Sequence, residues 1–305
     1  MAYHFDDKLV VAVSSRALFD LEAENKVFEE KGIDEYYKYL LDNEKTSLSK
    51  GTGFRLINNL LKINEHFDEN EKKVEVIILS KNNAATSLQI INTIKEYKLD
   101  ITRSGWTSGN SKSEYLKAFD VDLFLSADEA DVANATKSGI AAARILPSIA
   151  GGIQNKSEHS SEQVRIAFDG DAVLFSGESE RIYKNKGLKK FQEHEIKNKD
   201  NPLGEGPFAN LLRTLASLQE KFSGKDFSPI RTALVTARSA PAHERVIKTL
   251  NQWGVRVDEA FFLGGSEKTK ILQAFGADIF FDDQDIHLNK SSSVVPSAKV
   301  PSVEE

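Results

Sequence analysis

Two aspartates one residue apart, Asp169 and Asp171, close an apolar run that begins at Val164, and a second run, Ala172-Val-Leu-Phe175, follows at once. In an extended chain residues i and i+2 point the same way, so both carboxylates share a side, and Gly170 lets the backbone turn between them. Paired carboxylates at a strand end suit a hard dication such as Mg²⁺, and one of them can attack phosphorus. Asp169 is the candidate nucleophile. Asp171 is the candidate general acid for a leaving alkoxide and the later base for the hydrolytic water. Downstream, Thr236 ends the apolar run Ile230 to Val235 with a hydroxyl free to donate to a phosphoryl oxygen. Lys268, just past Gly264-Gly265, can neutralise phosphate charge and restrain the nucleophile. Asp282 and Asp283, after Asp278-Ile-Phe-Phe281, complete a metal set of Asp169, Asp171, Asp282 and Asp283, with the direct ligand of the last pair left open. A cation is needed because an anionic carboxylate cannot approach an anionic phosphate until charge is neutralised.

Taken singly, each residue has a plainer reading. Thr236 fits a helix N-cap, Lys268 a solvated surface lysine, and Asp282-Asp283 a strand-to-loop turn. Their order along the chain, each at the end of a strand or the start of a helix, favours the catalytic reading.

The elements that must position these groups alternate. Apolar runs at Leu9–Val13, Val74–Leu79, Val121–Leu125, Val164–Phe168, Ile230–Val235 and Asp278–Phe281 read as strands, separated by helical patterns. Helices are expected over Leu21–Lys45, Phe54–Ile63, Thr86–Tyr97, Lys112–Phe119, Ala130–Leu146, Glu178–Phe222 (interrupted at Asn201–Pro207), Pro241–Trp253 and Lys268–Phe275. Gly105-Trp-Thr-Ser-Gly109 reads as a loop. Such alternation predicts α/β architecture with parallel, helix-covered sheets. Pro147, Gly151-Gly152 and Gln154–Gln163 read as an interdomain linker, and the serine-rich end from Ser291 as a flexible tail.

The chain of 305 residues has room for two domains. Its net charge of −6 weighs against binding of a nucleic-acid polymer. No apolar run nears the roughly 20 residues that span a bilayer, and the acidic start lacks a signal pattern, so a cytoplasmic location is expected. With no cysteine, thiolate catalysis and disulfides are excluded.

The two halves repeat. At a shift of 156 positions Leu18-Phe19 meets Leu174-Phe175, Gly109 meets Gly265, Lys112 meets Lys268, Phe119 meets Phe275, Asp122 meets Asp278 and Phe124 meets Phe280. Shared α/β periodicity brings apolar matches cheaply, but not a constant offset through glycines and a lysine. At this shift Asp169 meets Val13, Asp171 meets Ser15, and Asp282-Asp283 meets Ser126-Ala127. The expected domains are a degenerate copy over 1–155 and a catalytic copy over 160–290, with a small helical insert at about 178–228 and a tail over 291–305.

The set Asp-x-Asp, Thr, Lys, Asp-Asp matches the motifs of haloacid-dehalogenase-like phosphatases. More closely, Ala12-Val-Ser-Ser-Arg-Ala-Leu-Phe19, Phe168-Asp-Gly-Asp-Ala-Val-Leu-Phe-Ser176 with Glu178-Ser-Glu180, and Phe280-Phe-Asp-Asp-Gln284 resemble the cytosolic 5′-nucleotidase type I family, as do Leu125-Ser-Ala-Asp128 and Gly139-Ile-Ala-Ala-Ala143. The likeness runs from about Leu9 to His287, and Gly177 departs from it where an acidic residue is expected. The resemblance implies tandem haloacid-dehalogenase-like (Rossmannoid) sheets, Mg²⁺, an oligomer, and hydrolysis of nucleoside 5′-monophosphates. The alternative is a related phosphatase for sugar phosphates or other small phosphomonoesters; a non-catalytic nucleotide sensor is a third reading. Substrate candidates are Phe208, Asn210, Arg213 and Arg238 in the second half. Ser14, Ser15, Arg16, Asn82 and Asn83 in the first could bind a phosphate or an effector, and Trp106 could stack on a base.

Overall fold

Seven consecutive buried residues, Val74 to Ser80, show how the sheets are built. A strand buried on both faces needs no polar alternation, which is the mark of a parallel sheet with helices on each side. The computed structural model describes residues 4–147 and 163–302, so the expected linker lies almost wholly outside the described residues. The chain divides into two units, Met1–Ile140 and Ala141–Glu305. That boundary precedes the one expected near 155–160.

The first unit opens with β1 (Leu9–Val13), a turn of helix α1 (Ser15–Leu18) and β2 (Phe19–Asp20), then α2 (Glu22–Lys31), α3 (Ile33–Asp42), β3 (Ser49–Lys50) and α4 (Phe54–Lys62). It continues through β4 (Val74–Ser80), α5 (Leu88–Glu96), β5 (Arg103–Trp106), α6 (Ser113–Ala118), β6 (Leu123–Ser126) and α7 (Glu129–Lys137). Its parallel sheet has the order β6-β1-β4-β5. The second unit holds β7 (Ala141–Ile145), β8 (Val164–Phe168), α8 (Glu178–Lys197), α9 (Ala209–Glu220), β9 (Ile230–Thr236) and α10 (His243–Gln252). After these come β10 (Glu259–Phe262), α11 (Thr269–Phe275), β11 (Ile279–Asp282), α12 (Asp285–Ser291) and β12 (Ser297–Lys299). There β12-β11-β8-β9-β10 run parallel, and β7 pairs antiparallel with β12. The α/β architecture with parallel sheets is as expected.

Several expected elements differ. The helix expected over Leu21–Lys45 is two helices, broken at Gly32 with φ 82°, a conformation that costs glycine least. The alanine-rich helix expected over Ala130–Leu146 stops at Lys137. Gly139, with φ 83°, turns the chain, and Ala141–Ile145 becomes a strand. Its partner β12 lies far along the sequence, so local composition could not reveal it. The tail expected to be flexible supplies that partner, with Val295, Ala298 and Val300 buried. Gly105 and Trp106, expected in a loop, pair as strand β5 with Leu79 and Ser80.

The repeat is visible in three dimensions. Val74 and Ile230, Arg103 and Glu259, Leu123 and Ile279, and Ala141 and Ser297 begin equivalent strands at the 156-residue spacing. Asp122 Oδ2 accepts the Val10 N–H, and Asp278 Oδ2 accepts the Arg165 N–H, each at 2.9 Å. At the first strand, however, the spacing is one residue shorter. Val13 pairs with Ile78 and Leu125, as Phe168 pairs with Leu234 and Phe281. Asp169 therefore corresponds to Ser14, not Val13, and Asp171 to Arg16, not Ser15. The extra residue is taken up in the turn at Ala172, which sits in the left-handed region with φ 60°. The helical insert is also duplicated: Gly187 breaks α8 with φ 76°, ψ 176°, as Gly32 separates α2 from α3 with φ 82°, ψ −177°.

Candidate active site

Parallel strands deliver their carboxyl ends to one edge, which is where β8, β9 and β11 place Asp169, Thr236 and Asp282. Lys268 caps the start of α11 and is 3% exposed. Its ammonium lies 2.7 Å from Asp169 Oδ1 and 2.7 Å from Asp282 Oδ2, so one buried cation ties the two strand ends together. Burial alone would lower the Lys268 pKa, and the two carboxylates more than reverse this. Asp282 Oδ1 also accepts the Gln284 N–H at 2.8 Å, which fixes the turn after β11. Thr236 Oγ1 accepts the Arg238 N–H at 3.2 Å. A side chain on Gly170 would meet that hydroxyl at 3.2 Å, so Gly170 lets β9 approach the turn after Asp169.

Asp169, Asp282 and Asp283 each offer a carboxylate oxygen, all within 4.8 Å of one another. Asp283 Oδ1 is buried with no hydrogen-bond partner. Burial, then the nearby Glu180 carboxylate, pushes the Asp283 carboxyl up to about 8. Burial pushes Asp169 and Asp282 upward too, against the pull of Lys268. Three crowded acids served by one ammonium are short of positive charge, and an orphaned carboxylate oxygen has room for a ligand bond. Hard oxygen donors in that state fit a divalent cation of the Mg²⁺ class.

Asp171 is placed differently. Both its oxygens accept from Arg238, at 2.8 Å from Nε and 2.7 Å from Nη2, and it is not one of the three clustered acids. Arg238 is 3% exposed and also reaches Glu195 at 2.6 Å, so its donors face two carboxylates and not a substrate. Glu195, itself 1% exposed, further accepts from Arg245 and Ser179 and so anchors the end of α8 to the strand edge. Glu195, Arg245 and Glu180 had no assigned role in the sequence reading. The Glu178-Ser-Glu180 string flagged the last, whereas Glu195 is one acid among many in a charged helix.

The remaining candidates separate clearly. Phe208 is fully buried between Phe168 and Phe281 and packs the core, so it cannot stack on a base. Asn210 lies exposed on α9, and Arg213 pairs with Glu205 over the Trp253 ring. Asn83 forms a turn, its Oδ1 accepting the Thr86 N–H. Ser14, Ser15, Arg16 and Asn82 line a cavity in the first unit, whereas Trp106 is half-buried in β5.

The model of the 5′-nucleotidase family matches residues 1–305. The chain is 38% identical over 288 residues to human cytosolic 5′-nucleotidase 1B, which covers 92% of this chain and 46% of the human protein. The chain thus spans about half the length of that relative. No solved structure matches it. Among the described residues no helix is long and apolar enough to cross a membrane. A match over the whole length, together with a lysine clamped between two strand-end aspartates, identifies the chain as a member of the 5′-nucleotidase family.

Proposed function

We propose that the chain is a Mg²⁺-dependent phosphoric monoester hydrolase, a 5′-nucleotidase that converts nucleoside 5′-monophosphates to nucleoside and phosphate through an aspartyl-phosphate. The observation that carries the reading is the Lys268 ammonium held between Asp169 and Asp282, beside the unpartnered oxygen of Asp283. Asp169, Asp282 and Asp283 would hold the cation, whose charge lets an anionic phosphate come near. In the first step an Asp169 oxygen bonds to phosphorus as the ester P–O bond breaks, and the departing alkoxide takes a proton from Asp171. Water then attacks the aspartyl-phosphate, losing its proton to Asp171 and freeing Asp169. Thr236 donates to a phosphoryl oxygen, and Lys268 orients the nucleophile and offsets phosphate charge. The Arg238 fork occupies both Asp171 oxygens, so proton transfer through Asp171 requires that pair to open. A cytoplasmic homo-oligomer belongs to the same reading and rests on the resemblance and on the human relative's name.

The test is phosphate release from ribo- and deoxyribonucleoside 5′-monophosphates and from sugar phosphates, with Mg²⁺ and with EDTA. Release confined to the nucleotides and to Mg²⁺ is expected. Equal rates on sugar phosphates would remove the nucleotide assignment, and turnover in EDTA would remove the cation.

Asp283→Asn separates the roles of charge and metal. A carboxyl whose pKa is higher in the folded than in the unfolded chain makes folding proton-linked, so stability falls as pH rises from about 4 to about 8. In EDTA at pH 9 the variant should be more stable than wild type by on the order of 1–3 kcal/mol, with little difference at pH 5. Its gain in Tm on adding Mg²⁺ should be much smaller than that of wild type. Thermal melts at the two pH values check both, and equal Mg²⁺ shifts would show that Asp283 is no ligand.

A further inference from the structure

The first unit keeps the scaffold of the site but not its acids, and it encloses a cavity of about 330 Å³ at the equivalent strand ends. Lys112 stands where Lys268 stands, 5.6 Å from the centre of the Phe124 ring as Lys268 is 5.3 Å from that of Phe280. The loop before it is also kept. Gly109 donates to Lys81 O with φ 86°, and Gly265 to Ala237 O with φ 84°. Ser80 replaces Thr236, its hydroxyl 3.0 Å from that of Ser15. The places of Asp169, Asp282 and Asp283 are held by Ser14, Ser126 and Ala127. The turn survives this exchange, because Ser126 Oγ accepts the Asp128 N–H at 3.1 Å just as Asp282 accepts that of Gln284.

The ammonium is the informative difference. Lys268 lies between two carboxylates, whereas Lys112, 4% exposed, pairs at 2.5 Å with one, Asp131, from the position that His287 holds in the second unit. Burial pulls Lys112 below the ordinary lysine range. Relative to its counterpart, Lys112 is short of one anion. Facing the cavity are Arg16, Lys81 and Lys112 against Glu24, Asp128 and Asp131, and burial pushes the Glu24 carboxyl toward its neutral form. The opposite wall is apolar: Phe28 and Ile33 are 45% and 50% exposed, and Tyr36 and Tyr37 stand beside them on α3. One exposed ring, two half-buried tyrosine rings and Ile33, beside a few convergent polar groups, form a recognition surface.

We propose that this cavity binds a phosphomonoester carrying a flat organic group, and does so without a divalent cation. In the second unit a phosphate must sit against carboxylates, which demands added positive charge. In the first unit the strand-end hydroxyls and the Lys112 ammonium can donate to it directly, and the Asp128 and Asp131 carboxylates facing the cavity are already balanced by Lys81 and Lys112. The ring wall of α2 and α3 takes the organic part. With serine at the nucleophile position and no acid cluster at the strand ends, the bound ester is not cleaved there. This inference rests on the structural repeat and is independent of whether the second unit turns over nucleotides.

The test uses the full chain as Asp169→Asn in EDTA, so that no turnover occurs and the second unit is without the cation that its phosphate site requires. Calorimetric titration with a nucleoside 5′-monophosphate, with glycerol phosphate and with inorganic phosphate is expected to give one equivalent of nucleotide binding and weaker binding of the other two. Ser126→Asp, which restores the acid but keeps the turn hydrogen bond, should weaken nucleotide binding by about tenfold or more, roughly 1.4 kcal/mol. Tyr36→Ala should weaken the nucleotide and leave inorganic phosphate unchanged. A thermal transition like that of the parent confirms folding of each variant. No binding in EDTA, or binding indifferent to Ser126→Asp, overturns the proposal; glycerol phosphate binding as tightly as the nucleotide overturns the flat-group assignment.

Discussion

Replacing Asp169 with asparagine is expected to lower phosphate release from nucleoside monophosphates by about 10⁴-fold or more, with the fold intact. The amide is the same size as the carboxylate but is too weak a nucleophile to attack phosphorus. Its oxygen can still accept from Lys268, now 2.7 Å from Asp169 Oδ1, so the tie between the turn after β8 and the start of α11 survives. Stability should hold or rise in the absence of metal, because one of three crowded acids becomes neutral. Phosphate release beside a urea melt makes both measurements. Turnover near the wild-type rate would end the aspartyl-phosphate mechanism, whereas a collapsed melt would show that the residue is needed to fold.

Arg238→Met carries the largest expected cost in stability. The guanidinium is nearly inaccessible and makes charge-assisted bonds to Asp171 and Glu195 at 2.6 to 2.8 Å. Its loss leaves Asp171 without that partner and Glu195 dependent on Arg245 and Ser179. Stranding one member of a buried ion pair costs on the order of 3–5 kcal/mol, which corresponds to a fall in Tm of about 10 °C. Burial would raise the Glu195 carboxyl, but Arg238 foremost holds it below the ordinary glutamate range. A depressed carboxylate pKa gives stability that is present near neutral pH and lost as pH falls through the folded-state value. The gap between wild type and Arg238→Met should therefore be wide at pH 7 and narrower at pH 4, read as the urea midpoint at each pH. Arg238→Lys should recover part of the loss, since it restores charge without the fork. A cost below about 1 kcal/mol at pH 7 would mean that the cluster adds little to stability.

How far residues could be read before folding depended on the range of the interaction. Leu9–Val13 and Val164–Phe168 were legible to the residue, because a buried parallel strand is an unbroken apolar run. Ala141–Ile145 was not, because small residues suit either state and the strand that claims them arrives only at Ser297. The repeat was legible from identities, but its register at Asp169 was off by one. A single extra residue absorbed by a left-handed turn at Ala172 leaves almost no trace in a sequence comparison.

By itself the sequence determined the inventory: an acid pair at one strand end, a hydroxyl, a lysine and a second acid pair, in an order that parallel strands bring to one edge. Strand patterning and short-range spacing carry that much, since both are local. Only the tertiary structure decided how the acids divide, with Asp169, Asp282 and Asp283 gathered around Lys268 while Asp171 turns to Arg238. Long-range pairing of buried charge makes that choice, because each carboxylate taken out of water must find a cation, and which cation is near is set by packing.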